Sequence, residues 1–276
     1  MIIGISGKIG SGKDTVGKII IALQRGKIMY PKSYLSKEFV STILSTIDNS
    51  TINYPIAHSD WQIKKFAGKL KQIVSILTGI SVEDLEKQEV KDSLLGEEWI
   101  RYAYAIGHKT DNNGNKEMIS KDCSKEVYEY EKSVNWQTAY KLEYTVRLLL
   151  QKIGTEAMRD VIHPNVWVNA LFADYKDVIE EGRGDDLAWM TKPNWIITDV
   201  RFPNELEAIK NRDGISIRIN RPAITGEQFY NLNIGMQHPS ETALDNAKFD
   251  YIIDNNGTIE ELVEKVKDIL VQQRII

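Results

Sequence analysis

The sequence has almost no cysteine. Cys123 is the only one in 276 residues, so no internal disulfide can form and a hydrophobic core must hold the fold. That usage suits a reducing, cytoplasmic setting. No apolar run approaches the ~20 residues of a bilayer span, so no membrane segment is expected. Glycines and Lys8 interrupt the opening residues too early for a signal peptide. The net charge of −4 gives no bulk electrostatic footprint for nucleic acid. The four histidines are scattered and make no H-E-x-x-H or other metal spacing. His238 and Ser240 are locally within reach, yet no separated acid completes a hydrolase triad. Also absent is an Asn-Lys-x-Asp segment, the usual guanine-reading signature, which argues against a GTPase. No internal repeat or low-complexity tract is present. The hydrophobic share of 42% and charged share of 27% are ordinary for a globular chain. The length suits one large α/β domain carrying insertions.

What is present is concentrated at the start. Ile2, Ile3 and Ile5 form a short strand-type run, followed by Gly7-Lys8-Ile9-Gly10-Ser11-Gly12-Lys13-Asp14-Thr15. Val16, Ile19, Ile20 and Leu23 then fall at i, i+3, i+4 and i+7, the stripe of an amphipathic helix. Strand, glycine loop, lysine and helix form the context of a phosphate-binding P-loop. A loop wrapped around a phosphate must aim several backbone N–H groups at one anion, which needs glycine angles and no side chains in the way. The helix N-terminus adds unpaired N–H groups and partial positive charge, and Lys13 adds a point charge for the β/γ-phosphates. A bare G-x-x-x-x-G-K arises by chance in about one chain in twelve of this length. The regular pattern asks for Ser or Thr after the lysine; here Asp14 stands there and Thr15 follows. Placement between strand and helix therefore carries much of the assignment.

Five parallel strands are predicted near residues 2–6, 61–66, 195–200, 215–220 and 250–254, with helices between them. This is an open, doubly wound α/β sheet whose ligand edge lies at the strands' carboxyl ends. Trp195 to Val200 is a continuous apolar run interrupted late by Asp199, as in a strand buried on both faces. A loop is expected over 26–31, a short helix around 40–47 and a turn-rich stretch over 48–59. Phe66, Leu70, Ile73, Val74 and Leu77 share one helix face. Lys64, Lys65, Lys69 and Lys71 surround its beginning, either as a solvated basic face or, for Lys71, reaching an anionic substrate. Residues 95–134 read as an insertion: Ile100, Tyr102, Tyr104 and Ile106 alternate, and 111–115 is a turn cluster, so a β-hairpin is predicted. Leu142, Val146, Leu149, Leu150 and Ile153 predict a helix ending near Gly154. Pro164 suits the first turn of a helix carrying Trp167, Ala170, Leu171 and Tyr175. Residues 182–186 form a polar loop. Thr258 and Glu261 predict a capping box for a final helix burying Ile259, Leu262, Val263 and Val266.

The P-loop followed by Asp199-Val200-Arg201-Phe202-Pro203-Asn204-Glu205 resembles the deoxynucleoside monophosphate kinases of bacteriophages. Phe66-Ala67-Gly68-Lys69-Leu70-Lys71 resembles the same family, as do Gln151-Lys152-Ile153-Gly154-Thr155-Glu156 with Arg159 and Trp167, and His238-Pro239-Ser240-Glu241. The aspartate after Lys13 is similar to the family's own variant of the loop. The resemblance implies a single P-loop NTPase kinase domain over 1–276 that moves the γ-phosphoryl of ATP to a deoxynucleoside 5′-monophosphate with Mg²⁺. It implies that a region near 67–167 holds the acceptor and that a loop over 222–243 acts as a lid. For a phage-encoded chain the location would be the host cytoplasm. The implied partners are small nucleotides, without nucleic acid or membrane; a homodimer is a possible state.

The roles implied by the resemblance follow from what phosphoryl transfer needs: alignment, charge neutralisation and exclusion of water. Gly7, Gly10, Ser11, Gly12, Lys13, Asp14 and Thr15 cradle the ATP phosphates. Asp14 or Thr15 assists the Mg²⁺ shell, and Asp199 stands at the Walker-B position. Arg159 and Arg201 clamp the acceptor phosphate or the transferring group. Lys71, Gln151, Thr155, Trp167 and Glu205 belong to the acceptor side, and Arg221 closes over the donor phosphates. Each has a plainer alternative. Asp199 caps the following helix, the arginines are structural ion pairs, Glu205 answers a helix dipole, or Trp167 is core. Two rival functions stay open: a P-loop kinase for another phosphorylated metabolite, and a nucleotide-switched ATPase binding module.

Overall fold

The structure, a computed structural model, describes residues 1–29, 61–110, 114, 116–135, 139–180, 189–221 and 239–276. The expected short helix at 40–47, the turn-rich 48–59, the loop at 182–186 and nearly all of the expected lid lie outside these residues. So do most of the expected hairpin turn at 111–115 and His238. The chain divides into two compact units, residues 1–69 with 164–276, and residues 70–163. The single domain expected from the sequence thus has two parts. The second part has nearly the bounds of the expected acceptor region.

The first unit begins with β1 (Ile2–Gly7) and α1 (Lys13–Met29). Val16, Ile19, Ile20 and Leu23 are fully buried, so the stripe packs as predicted. The loop predicted from residue 26 is corrected: α1 continues through a buried Gly26 to Met29. A helical glycine costs only about 1 kcal/mol relative to alanine, too little to stop a helix already packed along one side. Next come β2 (Trp61–Lys64) and the start of α2 (Gly68–Thr78).

The second unit has its own antiparallel sheet. After α3 (Gln88–Asp92), β3 (Arg101–Thr110) pairs with β4 (Lys116–Cys123), the predicted hairpin. The register shifts between Ala105 and Gly107. A helix α4 (Lys125–Val134), capped by Ser124, packs Tyr128 on Tyr102 with ring centroids 5.1 Å apart. A third strand, β5 (Ala139–Leu142), pairs with β3. Leu142, expected in a helix, belongs to it. In α2, Leu70 and Val74 are buried, whereas Leu77 in the last turn is 51% exposed and leaves the predicted face.

The helix predicted to stop at Gly154 does not stop. It runs as α5 (Val146–Gln151) and continues as a π-helical segment, Lys152–Ile162. Gly154 is buried, and a Cβ there would sit 2.8 Å from Leu70 Cδ2. The glycine serves close approach to α2, not helix termination. A π-helical turn is uncommon and is found often at functional sites.

The chain then returns to the first unit with α6 (Val166–Phe172) and a small hairpin, β6 (Val178–Glu180) with β7 (Trp189–Thr191). There follow β8 (Asn194–Val200), α7 (Pro203–Lys210), β9 (Ile215–Asn220), the turn-length α8 (Pro239–Thr242), β10 (Tyr251–Asp254) and α9 (Ile259–Gln272). The five predicted strands form one parallel sheet in the order β10-β9-β1-β8-β2. Alternation along the strands gives two cores. Ile3, Ile5 and Ile196 join α1 and α9 on one face. Ile2, Trp195 and Ile197 join α6 and α7 on the other. Thr258 accepts from the Glu261 amide at the start of α9, one half of the predicted capping box, although Ile259 is at the exposed edge of that helix. Among the described residues no helix is long and apolar enough to cross a membrane.

Candidate active site

The order of strands puts β1 in the middle of the sheet, so the loop leaving its carboxyl end opens between β8 and β9. Gly10 and Gly12 have φ of 75° and 97°, left-handed values that L side chains rarely adopt. A Cβ on Gly12 would lie 2.8 Å from Asn255 Nδ2. That amide donates to Ser11 O at 2.9 Å and braces the loop from the end of β10. The Ser11 hydroxyl is buried and has no hydrogen-bond partner among the described residues. A buried polar group without a partner is costly, which fits a loop shaped to wrap an anion.

Lys13 opens α1 and folds back over the loop. Its Nζ donates to Gly7 O at 2.6 Å and Lys8 O at 2.7 Å. Burial and the nearby Arg201 push its pKa down to about 8, against the opposing pull of Glu241, Asp14 and Asp199. Both effects favour the neutral amine, so a phosphate that restores a counter-charge is welcome here.

One acid from the first turn of α1 and one from the carboxyl end of β8 flank the lysine. Asp14 Oδ1 accepts from Thr198 Oγ1 at 2.7 Å and lies 3.4 Å from Lys65 Nζ. Burial works to raise its pKa, but Lys65, the Thr198 hydroxyl and Lys13 together hold it below the usual value. Asp199 takes the Phe66 amide at 2.8 Å and the Ala67 amide at 2.9 Å. It therefore anchors the entry to α2, not the helix that follows it. That following helix, α7, is capped by Glu205. Its Oε2 accepts from the Arg201 amide at 2.7 Å and the Phe202 amide at 3.1 Å, and the residue is 1% exposed. The geometry thus gives Glu205 a structural task, at odds with the expected place on the acceptor side.

Arg201 pairs with Glu241 and donates to Ser240 Oγ at 3.3 Å. The other Glu241 oxygen takes the Ile9 amide of the loop at 3.2 Å. Arg221 donates to Gly10 O at 3.1 Å. Asp245 bridges Lys8 at 3.2 Å and Arg218 at 2.9 Å, and Arg218 also reaches Ser6 Oγ. Lys13, Asp14, Thr15, Asp199, Arg201 and Arg221 are thus gathered in the first unit around one loop. Sequence reasoning missed the supports supplied by Asn255, Thr198, Glu241, Asp245 and Arg218. The local signal was weak, since Glu241 lay in a segment singled out without a role.

Trp167, also in the first unit, is 3% exposed in the first turn of α6, a burial that favours its core alternative over a stacking surface. The remaining expected residues belong to the second unit. Lys71 is buried and its Nζ is 2.5 Å from Glu86 Oε1, an ion pair in place of the predicted choice between solvent and substrate. Gln151, Thr155 and Arg159 recur every fourth residue where α5 passes into the π-helical segment, each partly exposed.

The sequence was compared with known proteins. The model of the family described as deoxynucleotide monophosphate kinase matches residues 1–266. The Deoxynucleoside-5'-monophosphate kinase of Escherichia phage T5 is 25% identical over 260 residues, covering 88% of this chain and 85% of its own. The Deoxynucleotide monophosphate kinase of Enterobacteria phage T4 is 26% identical over 128 residues, covering 46% of each chain. A protein of Acanthamoeba polyphaga mimivirus is 32% identical over 132 residues, 44% of this chain and 59% of that one. The match with T5 runs nearly end to end, and the family model spans both units and the whole phosphate loop. With that loop and its flanking acids and arginines in place, the chain belongs to the deoxynucleotide monophosphate kinase family.

Proposed function

We propose that this chain transfers the γ-phosphoryl group of ATP to a deoxynucleoside 5′-monophosphate, giving the diphosphate, with Mg²⁺ required. The observation that carries the reading is the placement of Lys13, over a left-handed glycine loop and electrostatically coupled to Arg201, Asp14 and Asp199. The loop amides and Lys13 hold the donor β- and γ-phosphates. Arg201 neutralises charge on the transferring group, Arg221 supports the donor side, and Arg159 is an acceptor-side residue of the second unit. Gln151 and Thr155 of the second unit contact the acceptor nucleoside.

An oxygen of the acceptor phosphate attacks the γ-phosphorus while the bond from that phosphorus to the β,γ-bridging oxygen breaks, releasing ADP. The acceptor is nucleophilic at neutral pH, so no strong base is needed; alignment and charge neutralisation do the work. Mg²⁺ is held by one or two carboxylates plus water and substrate phosphates. Asp14, Thr15 and Asp199 are hard oxygen donors that fit such a shell, and the ion would offset charge on the transferring group.

A coupled ADP-release assay across the common deoxynucleoside and nucleoside monophosphates tests this. Release stimulated by deoxynucleoside monophosphates is expected. Stimulation only by other phosphorylated metabolites would replace the acceptor, and ATP consumption indifferent to any monophosphate would favour a nucleotide-switched ATPase.

A pH dependence follows from Lys13. The amine is charged below about 8 and loses its proton as pH rises through that value. Bound phosphate favours the charged form, so kcat/KM for ATP should fall above about pH 8, by up to about tenfold per unit. A flat profile to pH 10 would remove Lys13 from donor binding.

A further inference from the structure

Glu241 is an acid of the site that has no part in the proposed roles, and it touches both the phosphate loop and Arg201. Glu241 is 8% exposed in its side chain, pairs with Arg201 through Oε1 and takes the Ile9 amide through Oε2 at 3.2 Å. It joins two elements far apart in sequence, the phosphate loop after β1 and the arginine after β8. Arg201 depresses the Lys13 pKa and Glu241 raises it, so the three charges sense one another across the loop. Two cations at one loop repel, and an arginine left to itself there would swing toward solvent. We propose that Glu241 is a positioning residue: its carboxylate straps the Arg201 guanidinium to the phosphate loop and keeps it directed at incoming phosphate. The proposal rests on the reading of the loop as a phosphate site and deepens it.

Removing an acid beside an anion site strengthens anion binding by charge alone. A positioning role predicts the opposite sign. In Glu241→Gln the amide still takes the Ile9 N–H but offers no charge to hold the guanidinium. Binding of inorganic tripolyphosphate, followed by calorimetry on the full chain, should weaken about tenfold. Transfer from ATP should lose about 30-fold in kcat with a smaller change in KM. Glu241→Asp should restore part of both.

A double-mutant cycle separates positioning from general destabilisation. In Arg201→Ala the buried Glu241 charge loses its partner, so adding Glu241→Gln should cost nothing further. Equal losses from Glu241→Gln with and without Arg201 would overturn the proposal, as would tighter tripolyphosphate binding in Glu241→Gln. Thermal midpoints without ligand identify any variant that fails to fold. Glu241→Asp then carries the cycle in its place. The tripolyphosphate arm needs no acceptor. An unmodified enzyme without acceptor-dependent turnover would defeat the kinase reading, while this arm would still decide the role of Glu241.

Discussion

Lys13→Ala should cripple phosphoryl transfer, lowering kcat/KM by about 10²–10³-fold, while the melting temperature moves little. The magnitude follows from removing a charged donor aimed at developing phosphate charge in a partly dehydrated site, where one such group supplies about 3–4 kcal/mol. The unchanged stability follows from the depressed pKa of the same amine. A folded state that lowers a lysine pKa disfavours its charge, so below about pH 8 the protein gives up stability to keep the amine protonated. Removing it relieves that cost, which offsets the two hydrogen bonds to Gly7 O and Lys8 O. Turnover and thermal denaturation of the same preparation check both halves. Retained turnover would overturn the P-loop assignment, and a collapse of the fold would show that the lysine is structural.

Asp199→Ala should damage both fold and function. The carboxylate accepts two backbone amides, from Phe66 and Ala67. Hydrogen bonds to a charged acceptor contribute about 1.5–3 kcal/mol each, so a loss of a few kcal/mol is expected in denaturant titration. Transfer should fall about 10²-fold, with the apparent Mg²⁺ requirement raised. Asp199→Asn sharpens the test: the amide nitrogen would face one of the two N–H donors, so the variant recovers part of the stability and little of the activity. If Asp199→Asn turned over within threefold of the unmodified enzyme, Asp199 would be an anchor for residues 66 and 67 and nothing more.

The sheet was legible in the sequence because its strands are short apolar runs that end in punctuation. All five lie within a few residues of the predicted spans, and they form one parallel sheet. The phosphate loop was legible because its chemistry needs glycines and a lysine at fixed spacing. The misreadings share a cause. Gly26 and Gly154 read as punctuation in the sequence, but one lies inside α1 and the other inside the π-helical segment, against Leu70. A glycine placed for close packing and a glycine placed to end a helix look alike in one dimension. The short strands β5, β6 and β7 escaped because three or four residues carry too little periodicity.

The sequence by itself determined which residues could bind phosphate and where the strands would run, since both depend on neighbours a few positions away. The tertiary structure decided what the polar side chains hold. Asp199 meets the Phe66 amide across 133 positions, Asn255 braces Ser11 across 244, and Glu241 meets Ile9 across 232. An acid has many amides it could satisfy, and only the packed sheet, with β1 between β8 and β9, brings one of them within hydrogen-bonding distance.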